Sequence, residues 1–75
     1  MNDNENAYLV RAKRCVREAE ICVEVQAALV DLFKRDGHKE AFFTALTMLD
    51  IVRAEREAAR ILLRTCREAQ PRTRG

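Results

Sequence analysis

The distribution of helix breakers constrains this chain more than any other feature. From Ala7 to Arg35, and again from His38 to Gln70, the sequence contains neither proline nor glycine. Each stretch is long enough for one uninterrupted helix, and nothing inside either one supplies a turn. Between them lies Asp36-Gly37-His38, where Gly37 can take the left-handed conformation that ends a helix. Lys34 and Arg35 just before it suit the negative end of a helix dipole. A connection this short makes the two helices antiparallel neighbours. The expected fold is therefore all-α, a long antiparallel two-helix hairpin forming a single domain over residues 1–75. The first helix should run from about 6 to 35, the turn over 36–38 and the second helix from about 39 to 69. Pro71 then stops the second helix and leaves residues 70–75 as a loose tail. At the start, Asn4 or Asn6 can cap the first helix. Thr47 with Asp50 three residues on reads as a weak capping box and offers an alternative break, which no glycine or proline supports.

Apolar periodicity indicates which faces the helices bury. Alternating steps of four and three in the first helix give a seam of Tyr8, Ala12, Cys15, Ala19, Cys22, Gln26, Leu29 and Phe33, flanked by Leu9, Val16, Val23 and Val30. Past residue 20 the apolar face widens with Ile21, Val25, Ala28 and Leu32, leaving mainly Glu20, Glu24, Asp31 and Lys34 for water. The second helix repeats the pattern in Phe42, Ala45, Leu49, Val52, Ala59, Leu63 and Cys66, flanked by Ala41, Met48 and Leu62. Its solvent stripe is Asp50, Arg53, Glu57, Arg60, Arg64 and Arg67. The main core is expected from Phe33, Phe42, Leu29, Leu49, Val52 and Leu63, with Phe33, Phe42 and Phe43 gathered near the turn.

A hairpin turning at Gly37 sets residue i of the first helix beside about residue 74 minus i of the second. In that register Arg17 meets Glu57, Glu18 meets Arg56 and Ala19 meets Glu55, so charges mostly complement. Gln26 falls on the seam opposite about Met48, where a lone polar residue can fix register or oligomeric state. Exposed ion pairs contribute only about 0 to 1 kcal/mol each, so burial has to supply the stability.

Size shows how that burial must be completed. A chain of 75 residues buries too little of its own surface to be comfortably stable alone. Two helices of about 30 residues, each near 45 Å long, cannot enclose apolar faces this wide by touching only each other. Disulfides, a metal or oligomerisation are the usual supplements. The three cysteines, Cys15, Cys22 and Cys66, are odd in number, and the polar start from Met1 to Asn6 does not read as a secretion signal. The expectation is a cytoplasmic protein with reduced thiols, and self-association as the supplement. Two hairpins related by a two-fold axis make a four-helix bundle, so a homodimer or homotetramer is expected. The longest uncharged run, Ala41 to Leu49, has nine residues, far below the roughly 20 needed to cross a bilayer. With 48% apolar and 35% charged residues, the composition suits a folded helix-rich domain with a solvated face.

Residues for known chemistries are scarce. The chain has no serine or tryptophan, one histidine and no glycine-rich phosphate loop, so the common hydrolytic and nucleotide-binding constellations are missing. No enzyme activity and no cofactor are expected. Cys15 and Cys22 lie seven residues apart, about 10 Å along a helix, too far to share one metal ion. Only Cys66 of one subunit and His38 of an antiparallel partner would approach each other, making them the candidate metal or thiol pair. The simpler expectation is that the cysteines fill a helical seam as small hydrophobes, and that His38 is an exposed junction residue.

Basic charge concentrates at the open end. Residues 1–20 and 55–75 together carry ten basic against seven acidic side chains, while 21–54 carry four against five. Arg60, Arg64 and Arg67, continued by Arg72 and Arg74, run along one helix and its tail, with Arg11, Lys13 and Arg14 expected beside them. Such a stripe can track a phosphate backbone. In outline the expected dimer resembles the small dimeric helical hairpins of plasmid copy-control regulators, which bind RNA on helix faces. The resemblance is architectural and rests on no shared motif. The leading expectation is a non-enzymatic interaction module, a small regulator, adaptor or chaperone-like subunit acting through self-association and protein binding. Nucleic-acid binding through the open-end arginines is the alternative, and a cysteine-based metal or redox site stands third.

Overall fold

The structure, a computed structural model, describes the backbone of residues 3–69 and the side chains of residues 7–69. Two helices account for it: α1 (Asp3–Asp36) and α2 (Lys39–Ala69), packed against each other as an antiparallel hairpin. Every described residue except Gly37 and His38 is helical. The Cα radius of gyration is 17.2 Å, against about 11 Å for a compact chain of this length, so the hairpin is a rod. The tail from 70 to 75, with Pro71, Arg72 and Arg74, lies outside the described residues.

The turn is built by backbone hydrogen bonds that Gly37 makes possible. Gly37 has φ +75°, the left-handed region that a side chain disfavours. This conformation lets the Gly37 amide donate to the Lys34 carbonyl at 3.3 Å and the His38 amide donate to the Phe33 carbonyl at 3.0 Å. Together these bonds form a Schellman closure, which satisfies carbonyls that a helix end otherwise orphans. The hydrophobic contact that accompanies such a closure is present too, with the rings of Phe33 and His38 meeting edge-on at 6.3 Å between centroids. His38 also opens the second helix, since its carbonyl accepts from the Phe42 amide at 2.8 Å.

The core sits in the half of the rod nearest the turn. Val23, Val30, Ala45 and Leu49 are buried, and Ala27, Phe33, Phe42, Leu46 and Val52 pack against them. Among the described residues toward the open end, only Ala12 is buried. The expected seam of α2 is observed in position: Ala45 and Leu49 are buried, and Phe42, Val52, Ala59, Leu63 and Cys66 half-buried. Its solvent stripe of Asp50, Arg53, Glu57, Arg60, Arg64 and Arg67 is exposed.

In α1 the seam is rotated by about one residue from the expected one. Ala12, Ala19, Gln26 and Phe33 hold their places, but the alternate positions belong to Val16, Val23 and Val30. Tyr8, Cys15 and Cys22, expected in the seam, are exposed, and Leu29 is half-buried at its edge. Valine explains the choice: its branched carbons fill the interhelical groove with one preferred rotamer and little entropy loss, and a thiol offers less apolar area. Three further expectations are corrected. Helix α1 starts at Asp3, so Asn4 and Asn6 fall inside it and not at the position before its first turn. The alternative break at Thr47 is absent, because the Thr47 hydroxyl donates back to the Phe43 carbonyl at 3.2 Å and α2 runs through. Arg17, Glu18 and Glu57 face solvent, and the pairs Arg17 with Glu57 and Glu18 with Arg56 do not form.

Candidate functional site

The seam is closed along one flank and open along the other. On the closed flank the Arg60 guanidinium reaches the Glu20 carboxylate at 3.2 Å, the one salt bridge among the described residues. Half-buried Ala27 and Leu46 share this flank nearer the turn. At the centre of the seam the Gln26 amide donates to the Ala45 backbone carbonyl at 3.3 Å. Gln26 therefore pairs three residues nearer the turn than Met48, its expected neighbour, and Met48 is exposed. A half-buried amide tied to a specific carbonyl rewards one axial alignment of the helices over its neighbours. Farther out, Arg56 occupies a seam position with its Nε buried and without a hydrogen-bond partner.

The open flank is apolar. On α1 the exposed Ile21, Val25, Ala28 and Leu32 follow each other at steps of four, three and four, so they share a face, and Cys22 and Leu29 join that face to the seam. On α2 the exposed Thr44, Met48 and Ile51 follow at steps of four and three, the next place in the series is the exposed Glu55, and Ala58 and Leu62 lie beyond it. In an antiparallel pair, positions on the same side of each seam land on the same flank of the hairpin, as Glu20 and Arg60 do. The apolar bands lie away from the closed side of each seam: Val25, Leu32, Thr44, Met48 and Ile51 fall toward the open flank, Ile21 and Ala28 share the back of α1 with Arg14, and Glu55 interrupts the α2 band. The apolar residues of both bands are open to water: Ile21 is 52% exposed, Val25 55%, Ile51 46% and Leu62 50%. Scattered apolar residues are ordinary on protein surfaces, whereas a run of exposed apolar residues on adjacent turns is not.

The remaining candidates are dispersed. Cys15 and Cys22 are exposed free thiols and Cys66 is a half-buried one. His38 stands at the turn and Cys66 near the far end of α2, about 40 Å apart along the helix, so no single chain brings them together. Among the described residues there is no group of three or more histidine, cysteine, aspartate or glutamate side chains able to hold a metal ion. A shallow pocket of about 210 Å³ opens at the turn, lined by Phe33, Lys34, Gly37, His38, Lys39 and Phe42. Arg11, Arg14, Arg60, Arg64 and Arg67 are all exposed. By helical spacing Lys13 shares the closed flank with Arg60 and Arg67. Arg11 lies toward the open flank and Arg14 on the back of α1, so the expected continuous basic stripe is divided. Among the described residues no helix is long and apolar enough to cross a membrane.

Comparison with protein families, curated proteins and solved structures finds no match to this chain. The reading of function therefore rests on the geometry alone.

Proposed function

We propose that this protein is a non-enzymatic interaction module, a small regulator, adaptor or chaperone-like subunit, that acts through self-association and protein binding. The observation that carries this reading is the apolar surface left open on both helices, with Ile21, Val25, Met48, Ile51 and Leu62 exposed in the single hairpin. A surface of this kind is stable in water when another surface covers it, because apolar area removed from water contributes about 25 cal/mol per Å². A homodimer or homotetramer forming a four-helix bundle is the assembly that the hairpin favours. The free cysteines fit a reducing compartment such as the cytoplasm. Native mass by light scattering tests the reading. A dimer or tetramer that dissociates on Val25→Glu, without loss of helicity per chain, is the expected result. A monomer with full helicity at every concentration would remove self-association from the proposal.

Nucleic-acid binding draws on the exposed Arg64 and Arg67 and on Lys13 of the same flank. It has less support, because Arg60 is engaged by Glu20 and because Arg11 and Arg14 point elsewhere. RNA or DNA affinity that is present at low salt and falls steeply as salt rises would favour it, and no affinity at low salt would end it.

A further inference from the structure

We infer that the hairpin opens in two stages, the arms 7–19 and 56–69 separating while residues 23–52 stay paired, and that Arg56 sets the boundary between the two parts. The inference concerns the hairpin itself and stands whatever the chain binds. Unequal cohesion is the first argument. In the part nearest the turn Val23, Val30 and Leu49 are buried with Phe33 and Phe42 packed on them, and the Gln26 amide is tied to the Ala45 carbonyl. Separating the helices there uncovers the bulk of the core. Among the described residues of the arms only Ala12 is buried, while Val16 and Leu63 are half-buried. The free energy of opening a region follows the apolar area that the opening uncovers, so the arms part more readily than the turn half. One ion pair spans the beginning of the arms, Glu20 with Arg60, and its side chains are 45% and 46% exposed. A pair so well solvated adds little resistance.

Arg56 places the boundary. The seam of α2 continues outward through Val52, Arg56, Ala59, Leu63 and Cys66 at steps of four and three, so a guanidinium stands where the series calls for an apolar side chain. Its Nε is buried and has no hydrogen-bond partner. In register with it on α1 are Glu18, which faces solvent, and Glu20, which is engaged by Arg60, so neither carboxylate answers that nitrogen. A polar atom taken out of water without a replacement bond disfavours the paired state. Parting the arms returns water to Arg56, whereas parting the turn half relieves no such atom among the described residues. The penalty therefore falls where the apolar seam thins. A released arm keeps only the marginal stability of a single helix in water, so its backbone amides become open to exchange.

The test is native-state hydrogen exchange of the full-length chain, followed amide by amide by NMR. Amides of 10–19 and 60–68 are expected to exchange about tenfold or more faster than those of 26–34 and 43–52, with a step between the two groups. Leu49→Ala should lower protection in the turn half by about tenfold or more and leave the arms unchanged, because the arms exchange without global unfolding. Arg56→Leu should raise protection of the arms roughly threefold or more by restoring the apolar seam. Arg64→Leu makes the same replacement on the exposed stripe of the same arm and should leave it unchanged, since arginine and leucine are nearly equal helix formers. Arms that exchange as slowly as the turn half, that lose protection gradually toward their ends, or that speed up with the turn half in Leu49→Ala overturn the two stages. Arms unmoved by Arg56→Leu, or slowed as much by Arg64→Leu, overturn the part assigned to Arg56.

Discussion

The turn-proximal and open halves of the hairpin share one fold and one seam, yet they are held together differently. Near the turn the seam carries Val23, Val30, Leu49, Phe33 and Phe42, large enough to bury one another. Farther out it carries Ala12, Val16, Ala19, Ala59 and the half-buried Arg56, and the interhelical contact includes the exposed Glu20 with Arg60. Helical periodicity is therefore preserved along the whole rod, while the free energy that it organises is concentrated in one half. Apolar side-chain volume makes the difference, since alanine positions bring the helices together but bury little area. The uncharged part of the open flank lies in the same half as the core, so the best-packed half of the rod also carries its exposed apolar residues Val25, Leu32, Met48 and Ile51.

Five substitutions can break or sharpen this contrast. Leu49 is only 5% exposed, and Leu49→Ala should cost about 2 to 5 kcal/mol, read as a drop in the midpoint of urea unfolding. The matching change in the open half, Leu63→Ala, should shift the midpoint clearly less because Leu63 is half-buried. Equal shifts would show that the core extends along the whole rod. Gly37→Ala comes next, at about 1 to 2 kcal/mol, because alanine must hold the left-handed conformation. A methyl group there would meet no atom within 4 Å, so the backbone alone sets that cost. Gln26→Ala should cost about 1 kcal/mol through loss of the hydrogen bond to the Ala45 carbonyl. It should also loosen the axial alignment, seen as broadened amide resonances near Ala45. Arg60→Ala should have the smallest effect, about 0 to 1 kcal/mol and vanishing in high salt, since both partners of that pair are about half exposed. A large salt-independent loss would instead reveal that the open half depends on this contact.

Much of this molecule is legible in its sequence. The glycine between two unbroken stretches fixes the hairpin, and both bonds of the turn closure follow from Gly37 at φ +75°. The seam and solvent stripe of α2 are equally legible, because charged residues crowd one side of that helix and leave one direction for the core. The exposed band of Ile21, Val25, Ala28 and Leu32 is also visible as apolar positions beyond what one partner helix can cover. Less legible is the flank to which the bands of both helices belong, since this depends on which side of each seam closes.

What the sequence by itself determined is the pair of helices, their turn and the excess of apolar surface. Only the tertiary structure decided which stripe of α1 faces α2. The series Cys15, Cys22, Leu29 and the series Val16, Val23, Val30 both satisfy steps of seven, and the apolar arc of α1 is wide enough to hold both. Periodicity gives a unique direction only when that arc is narrow. With a wide one, packing against the neighbouring helix makes the choice: the branched valines fill the groove, and the thiols of Cys15 and Cys22 are turned out to solvent.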